Sequence, residues 1–173
     1  MAFPRDSDPS DPPILPDVLV PNLDIVFCGT AAGAESARQR AYYAGPGNAF
    51  WPTLFAVGLT PRQLLPHEYG EVVRWKLGFT DLAKGISGSD SVLAPAHFDA
   101  GRLRRLIGDY RPRIVAFTGK RAAAAFIGHP VGYGLQTERT DSARLFVLPS
   151  PSGAARRFWD ADHWRQLARL RLA

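Results

Sequence analysis

The stretch Leu23-Asp24-Ile25-Val26-Phe27-Cys28-Gly29-Thr30-Ala31-Ala32-Gly33 is an apolar run that breaks off into small residues and glycine. Apolar side chains at consecutive positions are what a strand buried on both faces requires, so Leu23 to Cys28 reads as such a strand. Two similar runs follow, Arg113-Ile114-Val115-Ala116-Phe117-Thr118 and Arg144-Leu145-Phe146-Val147-Leu148. Helical patterns separate them. Buried strands alternating with helices predict an α/β fold, a three-layer α/β/α sandwich around a mainly parallel sheet. Such sheets bind ligands outside the carboxyl ends of their strands. Two strands run out into glycine-containing segments, Gly29–Gly33 and Pro149-Ser150-Pro151-Ser152-Gly153, which would share that edge. The site is expected there.

Around this frame, residues 1–22 are rich in proline and aspartate and read as a flexible or loosely attached arm, leaving 23–173 as the single domain. Residues 34–48 combine a short helix with a long loop. A helix over Ala49–Val57 is stopped by Gly58, and another is predicted over Pro66–Trp75. His97 to Tyr110 places Leu103, Leu106, Ile107 and Tyr110 on one helical face, and Pro112 ends it. An alanine-rich helix runs to Ile127, and Asp160 to Leu172 closes the chain.

The 173 residues carry a formal net charge of +5, but unevenly. Residues 1–100 hold 7 Lys/Arg against 11 Asp/Glu, while residues 101–173 hold 14 against 5. Thirteen of those 14 cations are arginines, whose planar fork suits bidentate contact with phosphate. A polyanion such as nucleic acid would be drawn to that half by counterion release; arginine-rich surfaces of no such purpose are also common. The single cysteine, Cys28, excludes an internal disulfide and any multi-cysteine metal centre, and reads as a small buried strand residue. No apolar stretch approaches the roughly 20 residues of a membrane span, and the first residues lack the order of a signal peptide. The expectation is a cytoplasmic protein.

Several motifs carry chemistry, and several are missing. Gly-x-Ser-x-Gly is absent, Gly119-Lys120 lacks the spacing of a phosphate loop, and the four histidines stand apart without ligand spacing. Gly45-Pro46-Gly47-Asn48-Ala49-Phe50-Trp51 is more telling. Its glycines and proline form a tight loop, its aromatics anchor a helix, and Asn48 offers an amide with donors and an acceptor to a flat polar heterocycle. Leu148-Pro149-Ser150-Pro151-Ser152-Gly153-Ala154-Ala155-Arg156-Arg157 is a stiff loop tipped with small residues and closed by cations. That is the form needed to enter a DNA groove.

Together and in this order, these segments resemble the mismatch-specific uracil/thymine DNA glycosylases, from about Leu23 to the C-terminus. Phe27–Gly33 is similar to their Gly-Ile-Asn-Pro-Gly motif, and Gly45–Trp51 to their Gly-Pro-Gly-Asn-x-Phe-Trp. Gly78-Phe79-Thr80-Asp81-Leu82 looks like Gly-x-Thr-x-Leu, and Ser150–Arg156 like Asn-Pro-Ser-Gly-x-x-Arg. The resemblance implies the uracil-DNA glycosylase fold and a monofunctional enzyme. Such an enzyme flips uracil, or a related deaminated or mismatched base, out of DNA and hydrolyses its N-glycosidic bond. It implies base contacts by Gly29, Thr30, Gly33, Tyr43 and Asn48, and DNA contacts by Ser150, Ser152, Gly153, Ala154, Ala155 and Arg156. It implies no metal or cofactor, a monomer, and as partner double-stranded DNA with uracil or a mismatch, with single-stranded DNA a further possibility.

Three positions depart from the pattern. Ala31 stands where the family has its water-positioning asparagine, Ala32 replaces a proline, and Ser150 replaces the second motif's asparagine. Related branches of the superfamily also carry alanine at that third place and recruit a carboxylate elsewhere. Two carboxylates are candidates for the catalytic role here, Glu35 just past the first loop and Asp81 on the Gly-x-Thr-x-Leu segment. Thr30 or Ser150 would be poorer acceptors, being neutral hydroxyls. Ala31 also keeps open a second reading, a module that binds uracil or abasic DNA without cutting. An unrelated small-molecule α/β enzyme is the third.

Overall fold

The structure, a computed structural model, describes residues 12–173. Along the chain come β1 (Ile25–Gly29), α1 (Ala34–Gln39), α2 (Phe50–Ala56), β2 (Leu77–Asp81), α3 (Ala100–Tyr110), β3 (Ile114–Phe117), α4 (Lys120–Ile127), β4 (Gly134–Arg139), β5 (Arg144–Val147) and α5 (Ala161–Leu172). One sheet takes all five strands in the order β2-β1-β3-β5-β4. The first four are parallel and β4 is antiparallel on its edge. The mainly parallel α/β architecture is therefore as expected.

Parallel strands need cover on both faces, and both faces have it. On one side Phe50, Trp51 and Leu54 of α2 and Trp164 and Leu167 of α5 pack on Ile25, Phe27, Phe79 and Phe146. On the other, Leu103 and Ile107 of α3 and Ala122, Ala123 and Phe126 of α4 pack on Cys28, Val115, Phe117 and Val147. Phe27 lies at the centre of the first core, fully buried, with ring centroids of Phe50, Phe79 and Trp164 at 5.1, 6.1 and 6.0 Å. Truncating such a ring to alanine costs about 3–5 kcal/mol. Cys28 is buried in the second core, and burial pushes its thiol pKa well up.

Two strands carry no strand signal in the sequence. β2 reads Leu-Gly-Phe-Thr-Asp, a poor strand former, and β4 is half polar because it lies at the edge with alternate residues exposed. Gly78 has a steric reason. A Cβ there would lie 2.4 Å from the Val18 carbonyl oxygen and 2.6 Å from Leu23 Cδ1. What crosses it is the N-terminal segment. Val18 exchanges two 2.9 Å backbone hydrogen bonds with Phe79, Ile14 N–H donates to the Lys84 carbonyl at 2.9 Å, and Leu15 is buried.

Of the arm read over 1–22, residues 1–11 lie outside the described residues, and the remainder corrects the expectation. Residues 12–22 hold to the domain because their backbone covers the open edge of β2 and Leu15 enters the core. Helix boundaries also differ. α3 begins at Ala100 rather than His97 because Asp99 caps it, its Oδ1 accepting from Arg102 N–H at 2.8 Å. Pro66–Trp75 is 3₁₀ rather than α-helix.

Candidate active site

Because four strands are parallel, their carboxyl ends deliver four chain segments to one edge: the loop after Gly29, Asp81, Thr118-Gly119, and the loop from Pro149. They enclose a cleft of about 600 Å³. Of the residues predicted for the site, Gly29, Thr30, Gly33, Glu35, Tyr43, Asn48, Asp81, Ser150, Ser152, Gly153, Ala154 and Ala155 line it, and Arg156 does not. Thr118 and Phe158, which sequence reasoning passed over, line it too.

Asp81 forms the floor. It ends β2 directly opposite Gly29 of β1, and only 5% of it is exposed. A Cβ at position 29 would lie 2.7 Å from Asp81 Oδ1 and 3.4 Å from Thr118 Oγ1. Gly29 thus makes room for a carboxylate. Burial raises the Asp81 pKa to about 7, with the negative charge of Asp17 adding to it; Lys84, Arg102 and the Gly29 N–H pull the other way. An acid of that kind exchanges its proton at neutral pH.

Two aromatics rise from the floor. Tyr43 stacks on Phe50 at 3.8 Å and 11°, and its hydroxyl lies 3.2 Å from Thr118 Oγ1. It holds a left-handed backbone, φ 53°, which is uncommon for a bulky residue and clusters at functional sites. Burial pushes its phenol well up, so the hydroxyl stays protonated. Behind it Tyr42 donates to the Pro16 carbonyl at 3.0 Å and accepts from Lys84 Nζ at 3.1 Å.

Asn48 does less than its chemistry allows. Its Oδ1 accepts the Phe50 N–H at 3.0 Å and so starts α2, which leaves the amide N–H₂ as the group for a ligand. The loop around it is pinned to the second loop, since Ala49 N–H donates to the Pro151 carbonyl at 2.8 Å. Gly153 packs so closely that a Cβ would sit 3.1 Å from the Pro46 oxygen. Arg156 folds back over Gly47, its Nη2 2.7 Å from where a Cβ would be. Within the second loop Ser150 Oγ accepts from Ser152 N–H and Ser152 Oγ from Ala154 N–H, both at 3.3 Å. Thr30 Oγ1 donates to Asp90 Oδ1 at 2.8 Å, tying the first loop to the segment beyond β2.

Glu35 stands at the rim, on the first turn of α1. Its Oε2 accepts from Arg38 Nε at 3.0 Å, and its Oε1 accepts from Arg38 Nη2 and, at 2.6 Å, from Gln39 Nε2. Those bonds hold its pKa at about 2. Phe158, 56% exposed, ends the 3₁₀ turn Gly153–Phe158 with the Arg157 guanidinium 4.7 Å from its ring centre. Thr118 was findable by the rule that located Gly29, since it follows a buried strand; no local signal marked Phe158. Among the described residues, no three His, Cys, Asp or Glu side chains group closely enough to hold a metal ion. No helix among them is long and apolar enough to cross a membrane.

A buried acid titrating near neutrality, beside backbone amides, a stacked tyrosine and a free amide N–H₂, can bind a flat heterocycle and take a proton from water. Comparisons with known proteins bear on the family and the fold. A family model described as the uracil DNA glycosylase superfamily matches residues 16–170. Among solved structures, the solution NMR structure of a Methanosarcina acetivorans protein, provisionally assigned as a uracil DNA glycosylase, superposes with a TM-score of 0.62. It is 23% identical, over 92% of this chain and 97% of that one, and at that identity the likeness speaks for the fold.

Proposed function

The chain belongs to the uracil DNA glycosylase superfamily, and we propose that it removes uracil from DNA by hydrolysis, with Asp81 activating the water. The observation that carries this reading is the placement of Asp81: buried at the cleft floor with a pKa near 7, in a chain whose first loop has Ala31. The flipped base enters the cleft and lies against Tyr43. Asn48 donates its amide N–H to a base carbonyl, and amides of the Thr30–Gly33 loop face the other as negative charge develops. The C1′–N1 bond breaks with its electron pair moving to the base, leaving an oxocarbenium-like sugar. Water adds to C1′ and gives a proton to the Asp81 carboxylate, which must therefore be ionised when the reaction begins. Loss of that proton to the departing base or to solvent restores the enzyme.

The basic second half supports DNA as the partner, with the Ser150–Ala155 loop entering the groove and Arg156 near phosphate or the opposite base. The reading takes a monomer with no metal or nucleotide cofactor. Glu35 is the lesser candidate for the water, because both its oxygens are engaged by Arg38 and Gln39. A second reading is favoured by one observation: Ala31, which lines the cleft, has no polar side chain, as a binding module without catalysis would allow. End-labelled duplexes with G·U, A·U or G·T, and single-stranded uracil DNA, decide between them after alkaline cleavage of abasic sites. Excision from uracil substrates is expected; retained binding with no cleavage would sink the enzyme and leave the module.

A further inference from the structure

Behind the floor of the cleft, away from any base, lies a second cluster of charge drawn from three distant segments. Asp17 comes from the N-terminal segment, Lys84 from just past β2, and Arg102 from α3. Asp17 Oδ1 accepts from Thr80 Oγ1 at 2.7 Å and from Lys84 Nζ at 3.1 Å, while its Oδ2 pairs with Arg102 Nη2. Arg102 Nη1 reaches Thr80 Oγ1 at 3.3 Å and the carbonyl oxygen of Asp81 itself at 3.4 Å. The three side chains are only 20%, 12% and 25% exposed, so solvent screens them poorly.

We propose that Asp17 is a positioning residue for Asp81: by pairing with Lys84 and Arg102 behind β2, it balances the charge against which the floor carboxylate works. The inference rests on the reading of Asp81 as the water-activating group. Two cations and one anion stand behind a buried acid. Without Asp17 the cations would act on Asp81 unopposed, and a carboxylate held firmly ionised is a weak base. Four further charged side chains line the same cleft, Glu35, Asp90, Lys120 and Arg121, and none of them pairs with Asp17, Lys84 or Arg102. The Cys28 thiol and the Tyr42 and Tyr43 phenols are pushed up by burial and stay protonated, and Thr118 and the Gly29 N–H are neutral. The same segment seals the site structurally, since Leu15 lines the cleft and the Pro16 carbonyl holds Tyr42. The N-terminal segment thereby becomes part of the active site.

The test pairs two variants of opposite sign, Asp17→Asn and Lys84→Met, with the titration of the Asp81 carboxyl followed by carbon-13 NMR. The pH dependence of single-turnover uracil excision is measured beside it. Asp17→Asn is expected to lower the Asp81 midpoint by about one pH unit and Lys84→Met to raise it similarly, with the acid limb of excision moving alongside. A folded Asp17→Asn protein with an unchanged midpoint would overturn the proposal. If Asp17→Asn does not fold, Lys84→Met decides: an upward shift supports the proposal and no shift overturns it. A midpoint that moves while the acid limb stays would leave the charge balance standing and remove Asp81 from the chemistry. That separates failure of this inference from failure of the proposed function.

Discussion

Asp81 and Glu35 border the same cleft in opposite circumstances. Asp81 sits on the floor among apolar residues and strand ends, and loss of water raises its pKa to about 7. Glu35 sits on the rim, where Arg38 and Gln39 from its own helix hold it at about 2. The two acids have nearly the same intrinsic chemistry, so the contrast between them comes from their surroundings. The rim acid is permanently charged and already hydrogen-bonded, which suits a solvated helix turn. The floor acid can change its charge during a reaction. Burial, rather than residue type, separates an acid that can change its charge near neutrality from a surface ion.

That contrast breaks or sharpens at four points. The largest effect is expected from Asp81→Asn, which should lower single-turnover excision by about 10²–10⁴-fold, the usual contribution of a positioned acid–base group. Excision by the wild type should itself fall as pH drops below about 7, where Asp81 takes up its proton.

The next effect concerns stability. A carboxyl whose folded pKa lies above its unfolded value binds its proton more tightly when folded, so it favours the folded state at low pH. Its ionisation therefore subtracts stability as pH rises from about 4 to about 7, by at most about 4 kcal/mol for a shift of this size. Urea melts across that range should show the loss in wild type and little of it in Asp81→Asn. Equal slopes in both proteins would mean that Asp81 is not desolvated.

Asn48→Ala should remove two things at once: the side-chain bond to Phe50 N–H in the turn before α2, worth about 1 kcal/mol in thermal melts, and about tenfold in excision through a lost base contact. A variant with the melting loss alone would make Asn48 purely structural. Smallest of all, Glu35→Gln should leave excision within about threefold of wild type, measured on the same duplexes. A loss as large as that of Asp81→Asn would reverse the contrast and return the rim acid to the mechanism.

Much of the fold and part of the site are legible in the order of residues alone. β1, β3 and β5 announce themselves by consecutive apolar residues, and the strand-end rule leads to Gly29 and the second loop. β2 escapes because Gly78 and Asp81 are chosen by neighbours, one by the crossing of Val18 and the other by the cleft. Phe158 escapes because an aromatic in the run Arg156-Arg157-Phe158-Trp159-Asp160 looks the same whether it is exposed or packed. Spacing cannot separate the roles of the two carboxylates, since a sequence shows neither water nor distance.

The amino-acid sequence by itself determined where strands stop and tight loops start, because backbone preference and apolar patterning act within a few residues. It also determined that the Gly29 loop, Thr118 and the second loop reach the sheet edge, because they follow strands with an apolar signal. Only the tertiary structure decided which acid is dry, which of Asn48's groups is free and what stands behind Asp81. Desolvation and Coulomb coupling depend on distances among β1, β2, α3 and the N-terminal segment, which meet only once the chain is folded.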